Sequence, residues 1–297
     1  MRNLMLLCLV ALWPVVSIAQ ATADSHLLGS CSLADLQKEP YAAWFTGNYT
    51  DYTPNEDLVK QLKNTNLKTC SVSIFFGTWC GDSRRELPRF IKLWDALGLP
   101  HEALNLVAVS SADSLYKQSP GHEERGKHIY RVPTFILSVN GRELSRLVEY
   151  PAVSLERDLL NMLSTKEYRP NYPSYTYLSK WFDEGILTDE NVALEGLANQ
   201  IRGITLSSGE LNSFARTLLS SSPDYLKAVL AVSRINCDLY PDAWQTHARL
   251  AELLYQTGEY RQAADALQRA IEVNNEPKNV ESLLKQYCEA MRKTEGH

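Results

Sequence analysis

The sequence lacks a clustered basic surface, a bilayer-length apolar run and any metal-ligand spacing among its cysteines and histidines. Its 30 Lys and Arg residues are scattered among 35 Asp and Glu, for a formal charge of -5, which argues against a nucleic-acid partner. The apolar stretch over 4–16 is shorter than the ~20 residues a bilayer span needs, and Leu7 stands before Cys8 where lipid attachment would want a small residue. Both points argue against a stable membrane anchor. With Arg2 ahead of that stretch and Ser17, Ala19 and Ala21 behind it, residues 1–21 read as a cleavable secretory signal, so the chain is expected to be exported, to a periplasm or outside the cell. No close Cys or His pairs are present, so no metal is expected, and no cofactor is indicated.

Cysteine is sparse but informative. Beyond the signal there remain Cys31, Cys70, Cys80, Cys237 and Cys288, an odd number in a compartment where disulfides persist, so at least one thiol has no partner within the chain. Cys31 and Cys70 are a candidate pair. Cys237 and Cys288 read as buried free thiols on helices that are not neighbours.

A chain of 297 residues holds one or two domains. Strand-like and helix-like patterns alternate over 29–165, whereas every periodic segment over 176–297 is helical, and KEYRPNYPSY at 166–175 reads as a linker. In the first part the order is a helix over 55–64, a buried strand over 70–76, a helix over 82–97, and a strand over 104–110. A polar stretch follows, then strands over 132–139 and 143–150 around the turn signal Asn140-Gly141, and a helix over 154–164. The aromatic residues Tyr41, Trp44, Phe45, Tyr49 and Tyr52 are expected to pack the preceding extension on the sheet. His122 and His128 fall in the polar stretch and read as solvated.

In the second part Thr188 and Asp189 are candidate helix caps, Ser207 with Glu210 forms a capping box, and Ser222-Pro223 opens another helix. Leu250, Ala251, Leu254, Gly258, Tyr260, Ala263, Leu267 and Ala270 follow the register of a tetratricopeptide helix-turn-helix unit, which this segment resembles. Phe214, Ala215 and Leu218 suggest a weaker copy upstream. Such stacks present a concave surface to a protein partner.

The stretch FFGTWCGDSRRELPRF over 75–90 carries the chemistry. It sets Trp79-Cys80 between a strand and a helix, with Pro88 eight residues on, Val132-Pro133-Thr134 at the start of a later strand, and the Asn140-Gly141 hairpin after that. In this order the segment over 55–164 resembles the thioredoxin-like family. The resemblance implies an α/β domain with a central mixed sheet, Cys80 as nucleophile, Pro133 in a cis bond facing it, and Trp79, Val132 and Thr134 along a peptide-binding edge. A cysteine at a helix N-terminus meets unpaired N–H groups and the positive end of the helix dipole, which favour thiolate. Arg84 and Arg85 would push the same way and Asp82 would oppose them.

Two positions depart from that family. Ser83 stands where the resolving cysteine would be, and Ile74 where an Asp assists it. Ser83 could instead donate a hydrogen bond to a Cys80 thiolate. A lone thiol can still attack a protein or peptide disulfide and be released by an external thiol, a small molecule or a partner protein. The sequence therefore reads as a monothiol thiol-disulfide oxidoreductase or isomerase fused to a helical-repeat, partner-binding domain. A non-enzymatic protein-binding module is the alternative. A one-cysteine peroxidase is weaker, because the Thr and Arg arrangement expected around a peroxidatic thiol is not evident.

Overall fold

The alternation in CSVSIFF makes a strand whose two faces serve different cores. In the computed structural model, which describes residues 26–164, 168–274 and 276–295, this is β2 (Cys70–Phe76). Cys70, Val72, Ile74 and Phe76 point into one apolar cluster and Phe75 into another. The expected signal over 1–21 lies outside the described residues.

Five strands form one mixed sheet in the order β1-β3-β2-β4-β5, with β1 Gly29–Cys31, β3 Leu104–Ala108, β4 Thr134–Val139 and β5 Arg142–Val148. β3 runs parallel to β2, with Leu106 opposite Ile74, and helix α4 (Gly81–Leu97) makes the crossover that parallel pairing requires. β4 is antiparallel to both β2 and β5, and Asn140 and Gly141 between β4 and β5 take φ of 51° and 75°. Two successive left-handed residues match the twist of a tight hairpin, and an Asn-Gly pair adopts them readily.

One face of the sheet is covered by α2 (Ala42–Asp51), α3 (Glu56–Lys63), α4 and α5 (Leu155–Ser164), whose apolar residues join a single cluster with those of β2. Trp94, Leu87 and Leu93 are fully enclosed there. Burying each such side chain stabilises the fold by ~1.5–3 kcal/mol. The aromatic extension packs mainly on α4: Tyr49 donates to Asp95, Lys92 lies over the Tyr49 ring at 4.4 Å, and Arg89 over Tyr52 at 5.7 Å. A short helix, α1 (Leu33–Leu36), links β1 to this layer.

The second part is all helical: α6 (Ser174–Asp183), α7 (Leu194–Ile201), α8 (Ser208–Ser221), α9 (Leu226–Leu239), α10 (Trp244–Gln256), α11 (Tyr260–Val273) and α12 (Pro277–Glu295). α8 packs on α9, α10 on α11 and α11 on α12. Phe214, Ala215 and Leu218 of α8 are buried, as are Ala251 and Leu254 of α10. Glu210 closes the start of α8 by accepting from Ser207 N–H at 3.2 Å. Ser222 accepts from Asp224 N–H at 3.2 Å, but it opens a short 3-10 turn ahead of α9. Thr188 and Asp189 do not cap α7, whose N-cap is Ala193. α7 begins at Leu194, and Asp189 instead holds a turn by accepting from Asn191 N–H at 2.9 Å. Among the described residues no helix is long and apolar enough to cross a membrane.

The segment read as a linker is fastened down. Asn171 donates to the carbonyls of Val148 and Tyr150, and Tyr172 to Glu149. Tyr130 and Val148 from the sheet side belong to the same apolar core as the helices, and the Tyr130 ring lies 4.5 Å from that of Phe214. Ser213 of α8 donates to the Tyr130 carbonyl at 2.6 Å, and Arg131 to Tyr175 of α6 at 3.0 Å. His128, expected to be solvated, lies 3.3 Å from Asp183 of α6 and 2.9 Å from the Tyr130 hydroxyl. The polar stretch is where the two parts meet.

Candidate active site

β2 ends at Phe76, and the turn Gly77-Thr78-Trp79 delivers Cys80 to the N-cap of α4, in extended conformation with φ -91°. Arg84 N–H donates to the Cys80 carbonyl at 3.0 Å, the first bond of the helix. The first-turn N–H groups, which have no partner within a helix, therefore gather near the sulfur. The half-buried Cys80 and Trp79 sit against Phe75, Val107, Val109, Ile129, Val132 and Ile136.

The Cys80 thiol donates to the carbonyl oxygen of Val132, 3.2 Å away, and the Val132–Pro133 peptide bond is cis. Cys80 and the Val132–Pro133 bond thus come together across 52 residues of chain. Thr134 does not join them at an open edge. It is buried, and its hydroxyl donates to Arg131 O at 2.7 Å, closing the turn into β4. The Val132 side chain is also buried, and its carbonyl is already occupied by the thiol.

Trp79, expected along a peptide-binding edge, also clamps the turn. Its Nε1–H donates to the Val109 carbonyl at 2.8 Å, just past β3, and its ring lies so close over Gly77 that a Cβ there would stand 2.4 Å from Cε2. A glycine is needed at 77 for that reason. Ser83 is completely buried and accepts from Gly77 N–H at 3.1 Å; no bond to Cys80 is recorded among the described residues, so its oxygen holds the turn. Ile74 is fully enclosed in the β2 core. Thr78 ties the turn to the extension, accepting from Leu27 N–H at 3.3 Å.

The first-turn arginines are committed elsewhere. Arg84 donates to Thr78 O at 2.6 Å, while Arg85 is paired with Asp82 at 2.7 Å and Glu86 at 2.6 Å. The guanidinium of Arg85 is thereby largely neutralised before it can act on the sulfur.

The remaining thiols are free. Cys31 lies on β1 opposite Leu106, which pairs with Ile74, so it is two strands and four residues along from Cys70. At ~3.3 Å per residue and ~4.8 Å per strand, the pair is beyond the ~7 Å Cα limit for a disulfide. Burial pushes the Cys31 thiol up to about 12, with the Asp35 carboxylate adding to the effect, and burial pushes Cys237 up to about 11. Burial raises Cys70 as well. Cys288 is exposed, contrary to the expected buried thiol.

The sequence reading passed over a further group. Lys117 is only 3 % exposed, with its ammonium donating to Tyr116 Oη at 2.7 Å and to Ser213 Oγ of α8 at 2.9 Å. Burial holds its proton affinity well below that of an ordinary lysine, and Arg131 and Arg216 add to the effect; Glu149 and Cys80 work against it. A lone Lys in a polar loop gives no periodic signal, so nothing in the sequence marked it.

Compared with family models, curated proteins and solved structures, the chain matches none.

Proposed function

We propose that this chain is a thioredoxin-like thiol-disulfide exchange protein that works through Cys80 alone and draws its second thiol from outside. The observation that carries the reading is the junction itself: Cys80 at the N-cap of α4, its sulfur 3.2 Å from the Val132 carbonyl beside the cis peptide bond to Pro133. The Cys80 thiolate attacks one sulfur of a disulfide R–S–S–R′, forming Cys80–S–S–R and releasing R′–S⁻. An external thiolate then attacks the R sulfur, leaves as a mixed disulfide with R, and returns the Cys80 thiolate. Ser83 offers no internal release, and burial favours the protonated thiol at Cys31, Cys70 and Cys237.

On this reading the paired helices α8/α9 and α10/α11 are tetratricopeptide-like units that bind a protein partner, and the chain acts in an oxidising compartment after export. The test is turnover of a glutathionylated peptide by the full chain with reduced glutathione present. Wild type should turn over and Cys80→Ala should not; equal rates in both would remove Cys80 from the reaction. One observation favours a second reading, a protein-binding module without exchange activity: Ser83 stands where a resolving thiol would be, and its oxygen serves the turn by accepting from Gly77 N–H. Absence of turnover in the wild type would select it.

A further inference from the structure

Arg216 belongs to α8, yet its side chain reaches out of the helical part to the rim of the turn that bears Cys80. Its guanidinium carbon stands 3.7 Å from the centre of the Tyr116 ring, and that ring lies 6.5 Å from the ring of Trp79, the residue next to Cys80. Trp79 and Cys80 pack on one apolar cluster. Both rings are held in place. The Trp79 indole donates to the Val109 carbonyl at 2.8 Å, while the Tyr116 hydroxyl accepts from Lys117 at 2.7 Å and the Tyr116 carbonyl from the Ser220 hydroxyl at 3.1 Å. Gln118 in turn donates to the Ser220 carbonyl. α8 is thus pinned to this loop one helical turn beyond Arg216, which fixes the guanidinium over the ring.

The charge of Arg216 is only lightly answered. Its Nη2 donates to Asp113, whose side chain is 92 % exposed on a three-residue 3-10 turn, Asp113–Leu115. A pair in that setting is screened by solvent and contributes little, so another carboxylate can take its place. Among the described residues Nε and Nη1 have no acceptor. A guanidinium offers such donors in a planar fork that fits a carboxylate. The spacing selects a size of reactant as well. Ring contacts of 6.5 Å and 3.7 Å in series lead from Trp79 to Arg216, and a thiol-bearing tripeptide extends ~10 Å. Such a molecule can bring its sulfur to Cys80 and a terminal carboxylate to the guanidinium.

We infer that Arg216 is a specificity-determining residue of the exchange site: it binds a carboxylate of the external thiol, so the second thiol that the reaction needs is an acidic, peptide-sized one. This rests on the reading of Cys80 as the exchanging thiol. In the release step the thiolate of that molecule, its carboxylate held by Arg216, attacks the outer sulfur of the Cys80 mixed disulfide. A new disulfide forms on the outer sulfur, and the electron pair of the broken bond returns to Cys80 as thiolate. The helical part then supplies one wall of the site through α8.

The test caps Cys80 of the full chain as its methyl disulfide and follows the return of the free thiol by mass spectrometry of the Cys80 peptide. Glutathione is compared with its diethyl ester, which keeps the thiol and lacks both carboxylates, at equal thiolate concentration. The ratio of the two rates should fall about fivefold in Arg216→Gln, and less in Arg216→Lys, which keeps the charge without the fork. It should rise in Asp113→Asn, where the competing carboxylate is gone. A ratio equal in wild type, Arg216→Gln and Asp113→Asn overturns the proposal. A loss shared by both thiols leaves the ratio unchanged and overturns it too. Turnover of the glutathionylated peptide separates the two readings. A ratio that depends on Arg216 without turnover removes the exchange function and leaves an anion-selective rim, and turnover with a constant ratio removes only the role of Arg216.

Discussion

The Trp79 indole donates to the Val109 carbonyl at 2.8 Å while its ring covers Gly77, so one side chain joins the end of β3 to the turn that presents Cys80. A methyl at 77 would overlap the ring at 2.4 Å from Cε2. Gly77→Ala should therefore displace Trp79 and cost about 1–3 kcal/mol, as overpacking of a closed site does. Urea unfolding of Gly77→Ala, Trp79→Ala and the double variant checks the cause: with the indole gone, the cost of the added methyl should disappear. A cost that persists would place the clash elsewhere.

Ser83 has two consequences that can be measured apart. Its oxygen satisfies the buried Gly77 N–H, so Ser83→Ala should lose about 1–3 kcal/mol of stability by leaving that donor without a partner. Ser83→Cys restores a second thiol one helical turn beyond Cys80. On the monothiol reading it should shorten the lifetime of the Cys80 adduct in acid-quenched samples without added thiol. An unchanged lifetime would mean that position 83 is not where release is decided.

The site was legible where chemistry and chain geometry coincide locally. The apolar run of β2, the polar turn after it and the start of α4 are adjacent in sequence, and the Asn140-Gly141 turn announces the left-handed pair it adopts. The strand β1 was not visible, because three residues paired antiparallel to β3 leave no alternation to read. Lys117 and Ser213 stand 96 positions apart, and Arg131 and Tyr175 stand 44 apart. No period links such residues; the docking of α6 and α8 on the polar stretch creates their contacts. The same docking turned His128 from a solvated loop residue into a bridge to Asp183.

The Arg131–Glu149 pair tests that docking. Arg131 reaches both Glu149 at 3.2 Å and Tyr175 of α6 at 3.0 Å, and Glu149 is buried and also bound by Tyr172. Glu149→Ala removes the anion from a mostly enclosed guanidinium and should cost about 1.5–3 kcal/mol, the loss expected for hydrogen bonds to a charged group. Hydrogen exchange should show faster opening over 168–183 than over β2. Uniform exchange across both would mean that the pair does not fasten the helical part to the sheet.

The burial of Lys117 ties stability to pH. Its proton affinity is lowered in the folded chain, by burial first and by Arg131 and Arg216 next, whereas in the unfolded chain it holds a proton up to about pH 10.4. Between the two values the unfolded state binds a proton that the folded state does not, so raising the pH through that window stabilises the fold. Below the folded value the enclosed ammonium must be carried, and its cost is fully present. Lys117→Met removes that cost together with the bonds to Tyr116 and Ser213. The stability of the variant relative to wild type should therefore be most favourable at low pH and decline as the pH rises from the lowered folded value toward about 10.4. Urea midpoints of both proteins across that range decide it. A difference that does not change with pH would mean that the ammonium is not desolvated in the folded chain.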